Sequence, residues 1–239
     1  MRDHQEHNAV QQEYFAGPLK PTMYPGSNPY VDRHVAEVIR FGGLKAGERV
    51  LDVGCGAGRY TFLLADRGMV MEGLELSPDL LKWLTHFDGG KYGMRTWCGD
   101  VANPAAELEG RFDAIAGFFM LHHLDDLRGA FAGLVKCLKP GGRMVFIEPN
   151  AWNPLYYLQV TFTPGMRWKA EKGIPNMRAG VLTPAMRAAG LVDVEYETFG
   201  FFPPVLRNTA WGGGVERVIE RLPGVGPVRP FRLVRARKG

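Results

Sequence analysis

The sequence is poor in cysteine, and its cysteines are spaced for no shared task. Cys55, Cys98 and Cys137 are the only three in 239 residues. Their odd number, wide separation and lack of a CxxC or Cys/His ligand spacing exclude a disulfide framework and a zinc-finger module. That usage suits a reducing compartment, so a cytoplasmic protein without a metal site is expected. Long apolar runs are also missing. The opening MRDHQEHNAVQQEYF has no signal core, and no window approaches the roughly 18 apolar residues of a membrane span. Charge of one sign is nowhere dominant overall, with 29 basic and 25 acidic residues giving +4. That excess is too small to indicate a nucleic-acid partner.

Acids are absent only locally. From Arg221 onward the chain carries Arg221, Arg229, Arg232, Arg235, Arg237 and Lys238 and no acid. Two readings are open: weak contact with phosphates or an anionic membrane surface, or a solvated last strand whose basic edge discourages strand pairing.

What is present is a chain with 46% hydrophobic residues, enough for one sizeable α/β core and one main domain. After a polar and then Pro-, Gly- and Tyr-rich start, VDRHVAEVIRFGGL places Val31, Val35, Val38 and Ile39 at helical spacing. From 49 to 150, strand-like runs (RVLDV, VMEGLEL, MRTWCGD, FDAIAGFF, RMVFIEP) alternate with helical segments. Such alternation predicts βαβ units and a parallel sheet with helices on both faces. Ligands of open α/β sheets bind beyond the carboxyl ends of the strands, so Asp52, Glu75, Asp100, Phe118 and Glu148 are the residues to watch.

Between 151 and 182 the pattern breaks into an aromatic, basic stretch with the length of a lid or substrate cover. TPAMRAAGL then predicts a helix with Thr183 as N-cap, Pro184 at its first position and Gly190 past its end. Residues 183–239 thus supply a helix and two last strands, VDVEYETFG and FRLVRARK, of the same domain.

The loop VLDVGCGAGRY brings glycines to alternate positions, Gly54, Gly56 and Gly58, directly after a strand. A dinucleotide fingerprint requires a small residue where Arg59 stands, and a Walker lysine is absent. Close backbone approach to a ligand is permitted, whereas a pyrophosphate site is poorly matched. Glu75 ends the next strand, at the distance where a carboxylate accepts ribose hydroxyls. A nucleoside is implied.

Five ordered motifs, VLDVGCGAG, GLELSPDLL, CGDV, FDAIAGFFMLHHL and LKPGGRMVFIEPN, resemble the class I S-adenosylmethionine-dependent methyltransferases, with similarity to the quinone-biosynthesis subgroup. That resemblance implies a Rossmann-like, doubly wound, seven-stranded and mostly parallel sheet, with S-adenosylmethionine as cofactor. It places Asp52, Gly54, Cys55 and Gly56 at the methionine end, Glu75 on the ribose, Leu76 beside the adenine, Asp100 and Val101 at the adenine edge, and Phe118 near the amino group. Residues 1–48 would cover the cofactor, with Tyr14, Tyr24 and Tyr30 offering aromatic faces to the sulfonium.

Methyl transfer is an in-line displacement, and a hydroxyl or ammonium acceptor must also lose a proton. His122 and His123 are the candidates, adjacent and therefore pointing in different directions, with one expected to face the site. Methyltransferases with a similar LHH segment favour the second, His123. Glu148 and Asn150 are open to two readings, orienting the acceptor or satisfying backbone groups at the strand end.

Trp152, Tyr156, Tyr157, Phe162 and Trp168 are expected to form an apolar acceptor pocket, with Arg167, Lys169 and Lys172 near an anionic group. No DPPY-like tetrapeptide follows FDAIAGFF, so a small-molecule or lipid-linked acceptor, methylated on oxygen or nitrogen, is expected over nucleic acid. The alternatives are an enzyme of the same fold using the cofactor for another reaction, and a non-catalytic module that binds it. The number of chains in the assembly is not encoded in any motif.

Overall fold

The computed structural model describes residues 2–15, 17–154, 156–157, 161, 168 and 171–239, with the backbone alone for 2–5 and 14. Seven strands form one sheet: β1 (Arg49–Val53), β2 (Val70–Glu75), β3 (Arg95–Cys98), β4 (Phe112–Phe118), β5 (Leu138–Pro149), β6 (Leu191–Phe199) and β7 (Phe231–Lys238). Their order is β3-β2-β1-β4-β5-β7-β6. The first five strands pair in parallel, and β7 runs antiparallel to both β5 and β6. The chain reverses direction across the sheet between β1 and β4, which opens a crevice at their carboxyl ends.

Alternating side chains feed two cores. Val50, Ala114, Val145 and Leu233 meet Val31, Val35 and Val38 of α2 (Pro29–Gly42) on one face. Leu51, Ile115, Phe146 and Val234 meet Phe131 and Leu134 of α5 (Leu127–Cys137) on the other. Gly133 lets α5 approach closely, because a Cβ there would lie 2.3 Å from the Val101 carbonyl oxygen.

Helix α2 starts where the sequence supplies its punctuation. Asn28 accepts the Tyr30 and Val31 amides at 3.1 Å each, Pro29 opens the first turn, and Gly43 closes the helix in a left-handed conformation. Helix α4 (Pro78–Asp88) repeats the device with Ser77, Pro78 and Gly89. Further helices with both ends among the described residues are α1 (Arg2–Phe15), α3 (Thr61–Ala65), α6 (Ala179–Ala188), α7 (Pro204–Arg207) and α8 (Gly212–Ile219).

Two expectations are corrected. Helix α6 begins at Ala179 with Arg178 as its cap, so Thr183 is not an N-cap and Pro184 lies inside the helix. Pro184 is the sixth helical residue, so its missing N–H costs a single intrahelical bond to Gly180. The basic last strand is not an edge: β7 lies between β5 and β6. Its Arg235 and Arg237 pair with Glu195 and Asp193 of β6 at 2.7 and 2.6 Å. Among the described residues, no helix is long and apolar enough to cross a membrane, and the three cysteines are free thiols.

Candidate active site

A cavity of about 680 Å³ opens at the carboxyl ends of the parallel strands, within the usual size of small-ligand sites. The loop after β1 forms its floor. The Gly54 amide donates to the Leu74 carbonyl at 2.8 Å, turning the chain sharply after Val53. Gly54 has φ +69° and a Cβ would lie 2.7 Å from the Met120 Cβ, so no other residue fits without displacement. Gly56 has φ +52° and nothing within 4 Å of its Cβ position, which leaves bare backbone facing the cavity.

Glu75 is the polar anchor of this floor. Its Oε2 accepts the Gly56 amide at 3.0 Å and its Oε1 the Ser77 amide at 2.9 Å. Burial raises the carboxyl pKa, and the Ser77 and Gly56 amides oppose that rise. A carboxylate offers about four acceptor positions. Two are used by the protein, and the cavity has access to the group.

Cys55, Leu76, Asp100, Val101 and Phe118 line the same cavity. Asp100 lies two residues beyond β3, where its Oδ1 accepts the Ala102 amide at 2.9 Å and its Oδ2 accepts the Asn8 side-chain amide at 2.7 Å. Asp52 differs from its expected position. It lies outside the cavity lining, 2% exposed, and accepts the Thr61 hydroxyl at 2.6 Å. Burial pushes its pKa up to about 7, the Glu75 charge adding to the rise and the Thr61 hydroxyl opposing it.

The two histidines occupy a 3-10 turn, Leu121–His123, and both line the cavity, so adjacency does not separate them as expected. Their rings lie 4.1 Å apart between centroids. His122 Nδ1 lies 2.6 Å from Glu148 Oε2 and its Nε2 lies 3.4 Å from Glu171 Oε2. Burial works to lower the pKa of His122, but the Glu148 and Glu171 carboxylates outweigh it and hold it at about 9. Glu148 Oε1 accepts the Met120 and Leu121 amides, so of the two readings of Glu148 its contacts match the backbone one. Asn150 likewise donates to the Pro227 and Arg229 carbonyls, clamping the connection that enters β7.

Part of the cavity wall is built from elements the sequence reading did not assign to it. Phe201, Phe202, Phe231 and Phe119 line it together with Tyr30, His34, Tyr156 and Glu171. His34 is 1% exposed within Tyr30, Phe119, Phe199 and Phe231 rings, and burial lowers its pKa to about 3. Of the aromatic residues expected here, Tyr156 lines the cavity. Trp152 and Trp168 are 60% and 49% exposed, Tyr157 stacks on Trp168, and Lys172 is exposed. Phe162, Arg167 and Lys169 lie outside the described residues. Of the three tyrosines, Tyr30 lines the cavity, Tyr24 packs on Phe87, and the Tyr14 side chain is outside the description. The apolar FGFFPP run and the helical face bearing His34 were the signals available.

Among curated proteins, the chain is 29% identical over 154 residues to a ubiquinone biosynthesis O-methyltransferase of Xanthomonas oryzae pv. oryzae, covering 64% of each chain. It is 35% identical over 109 residues to a demethylmenaquinone methyltransferase of Tropheryma whipplei, covering 44% of each. The chain therefore spans less than two thirds of the length of these relatives. A crystal structure of a SAM-dependent methyltransferase from Archaeoglobus fulgidus superimposes with a TM-score of 0.61 at 18% identity, over 96% of this chain and 99% of that one. This likeness is one of fold. Residues 30–196, well over half of the chain, match the family described as methyltransferase domain, and the chain belongs to that family.

Proposed function

We propose that this protein transfers a methyl group from S-adenosylmethionine to an oxygen or nitrogen atom of a small, quinone-like acceptor. The observation that carries this reading is the position of Glu75, a buried carboxylate in the cavity wall, held by the Gly56 and Ser77 amides with acceptor positions left over. That geometry suits a vicinal diol such as a ribose. The bare backbone at Gly56 suits the amino-acid end of the cofactor, and Leu76, Asp100 and Val101 suit its adenine.

The cofactor, when bound, supplies a methyl group activated on a sulfonium. The chain's own contribution is alignment, exclusion of water and help with the acceptor's proton. Phe118 stacks on Tyr60 at 4.2 Å, and both rings line the cavity, where they suit the exclusion of water. Phe201, Phe202, Pro203 and Pro204 extend this wall to exposed surface, which suits an acceptor carrying an apolar tail. The group of His122, His123 and Glu171 lies in the same wall and eases loss of the acceptor's proton, with Glu148 positioning His122. Names of the two curated relatives agree with a quinone-type acceptor. Three free thiols suit a reducing, cytoplasmic setting.

Calorimetry with S-adenosylhomocysteine tests the donor site. Wild type binds it, and Glu75→Ala weakens binding at least tenfold, since two hydrogen bonds to a charged acceptor are lost. Equal affinity in the two proteins would remove the ribose assignment. Transfer of labelled methyl to a catechol- or quinol-type acceptor tests the reaction.

A further inference from the structure

Three side chains of metal-ligand type meet in the cavity wall. One ligand atom each of His122, His123 and Glu171 lies within 4.8 Å of the other two. His122 and Glu171 are 3% and 6% exposed. The distance from His122 Nε2 to Glu171 Oε2 is 3.4 Å, longer than the roughly 2.7–2.9 Å of a charge-assisted hydrogen bond. It equals the gap between two ligands of one tetrahedral ion, since bonds of about 2.0–2.2 Å place such atoms about 3.4 Å apart.

Two further observations point to a cation. Among the described residues, Glu171 Oε2 is buried with no hydrogen-bond partner and faces only the long 3.4 Å contact to His122 Nε2, a costly condition for a carboxylate oxygen. Glu148 and Glu171 both face the single imidazole of His122, so two buried carboxylates share one weak positive partner. The Glu148 contact at Nδ1 is also the arrangement that fixes the tautomer of a metal-bound histidine and directs the Nε2 lone pair outward.

We propose that His122 Nε2, His123 and Glu171 bind one divalent ion of the zinc type, with a further coordination position open to the acceptor. Two imidazoles and one carboxylate suit zinc and its transition-metal neighbours, whereas Mg²⁺ and Ca²⁺ favour all-oxygen sets. Three protein ligands and an open position are the pattern of catalytic zinc sites. An acceptor hydroxyl on this ion loses its proton more readily: the O–H bond breaks, the electron pair stays on the coordinated oxygen and the proton passes to water. The expectation of no metal site came from ligand spacing along the chain, and Glu171 reaches the histidines from a separate segment.

The ion's part in acceptor deprotonation rests on the methyl-transfer reading, whereas the test of metal binding needs no acceptor. Protein stripped with a chelator is titrated with Zn²⁺ by calorimetry and with Co²⁺ by visible absorption. The expected result is one ion per chain, d–d bands on Co²⁺ addition, and no change in that spectrum with Mg²⁺. Glu171→Gln and His123→Gln are expected to weaken Zn²⁺ binding at least tenfold, and Glu148→Gln to weaken it about 10–100-fold through the lost orienting charge. Melting curves and S-adenosylhomocysteine binding on the same preparations confirm folded protein and test the donor site separately. Absence of stoichiometric Zn²⁺ and Co²⁺ uptake by wild type would overturn the proposal, as would undiminished uptake by both Glu171→Gln and His123→Gln.

Discussion

Glu148 Oε2 lies 2.6 Å from His122 Nδ1, while the other oxygen of the same carboxylate accepts the Met120 and Leu121 amides at 2.9 and 2.7 Å. One fully buried side chain at the end of β5 therefore fixes both the histidine turn and the orientation of its first ring. Glu148→Ala leaves two amides and His122 Nδ1 without partners and is expected to cost about 3–5 kcal/mol of stability. Glu148→Gln keeps an acceptor for the amides and costs less. Urea unfolding measures both, and equal losses would mean that the amide contacts contribute little.

Asp52 carries a pH signature. Its pKa in the fold is pushed up to about 7, from burial first and then the Glu75 charge. An acid raised in this way contributes stability that is fully present below its unfolded value near 4 and is lost as pH rises through about 7. Ligand-free protein should therefore lose stability as pH rises from about 4 to 7, by an amount on the order of a few kcal/mol. Asp52→Asn keeps an oxygen for the Thr61 hydroxyl and should flatten that decline, leaving the part due to Glu75, whose pKa burial also raises. Melting temperatures across this range are the measurement; a parallel decline in both proteins would assign the effect elsewhere.

Gly54 and Gly56 separate fold from site. Both have positive φ, but a Cβ at Gly54 collides with Met120 whereas one at Gly56 meets open space. Gly56→Ala carries only backbone strain of about 1–2 kcal/mol and projects a methyl group into the cofactor floor. It should fold and bind S-adenosylhomocysteine at least tenfold more weakly. Gly54→Ala adds the steric clash and should lower the melting temperature further. The order of the two melting temperatures, with calorimetry on Gly56→Ala, decides the matter.

The parallel core was legible because each strand from RVLDV to RMVFIEP is a short apolar run closed by a polar residue or a turn. The cavity floor was legible for the same reason: Glu75 and Gly56, which line it, are local in sequence and belong to one βα unit. Asp52 misled because strand-end position does not say on which side of the loop a carboxylate emerges; Thr61 captures it away from the cavity. The aromatic part of the cavity wall was hidden because it is assembled from distant segments. His34 lies on a helix face that reads as ordinary core, and Phe201, Phe202 and Phe231 join it only after β6 and β7 have paired. Pairing also explains the basic tail, whose arginines face acids of β6 that no local pattern links to them.

Helix α1 is the part of the cavity wall with the least to hold it. Its sequence, RDHQEHNAVQQEYF, has few apolar residues, and its contacts to the site are mostly polar. Asn8 donates to Asp100, Gln12 to the Leu76 carbonyl at 3.0 Å, and His7 to the His123 carbonyl at 2.7 Å. Phe15 adds an edge contact to the His123 ring. Hydrogen bonds of this kind contribute about 0.5–1.5 kcal/mol each, so opening α1 costs far less than unfolding the sheet. These contacts lie over Leu76 and Asp100, where the adenine of the proposed cofactor would sit. A chain beginning at Gly17 should therefore keep a melting temperature close to that of the full protein, because neither main core uses α1. Its affinity for S-adenosylhomocysteine should fall at least tenfold, with the change in the dissociation rate, as a cover that holds ligand in rather than guiding it in requires. Stopped-flow displacement distinguishes the two rates. An unchanged dissociation rate would mean that α1 borders the cavity without closing it.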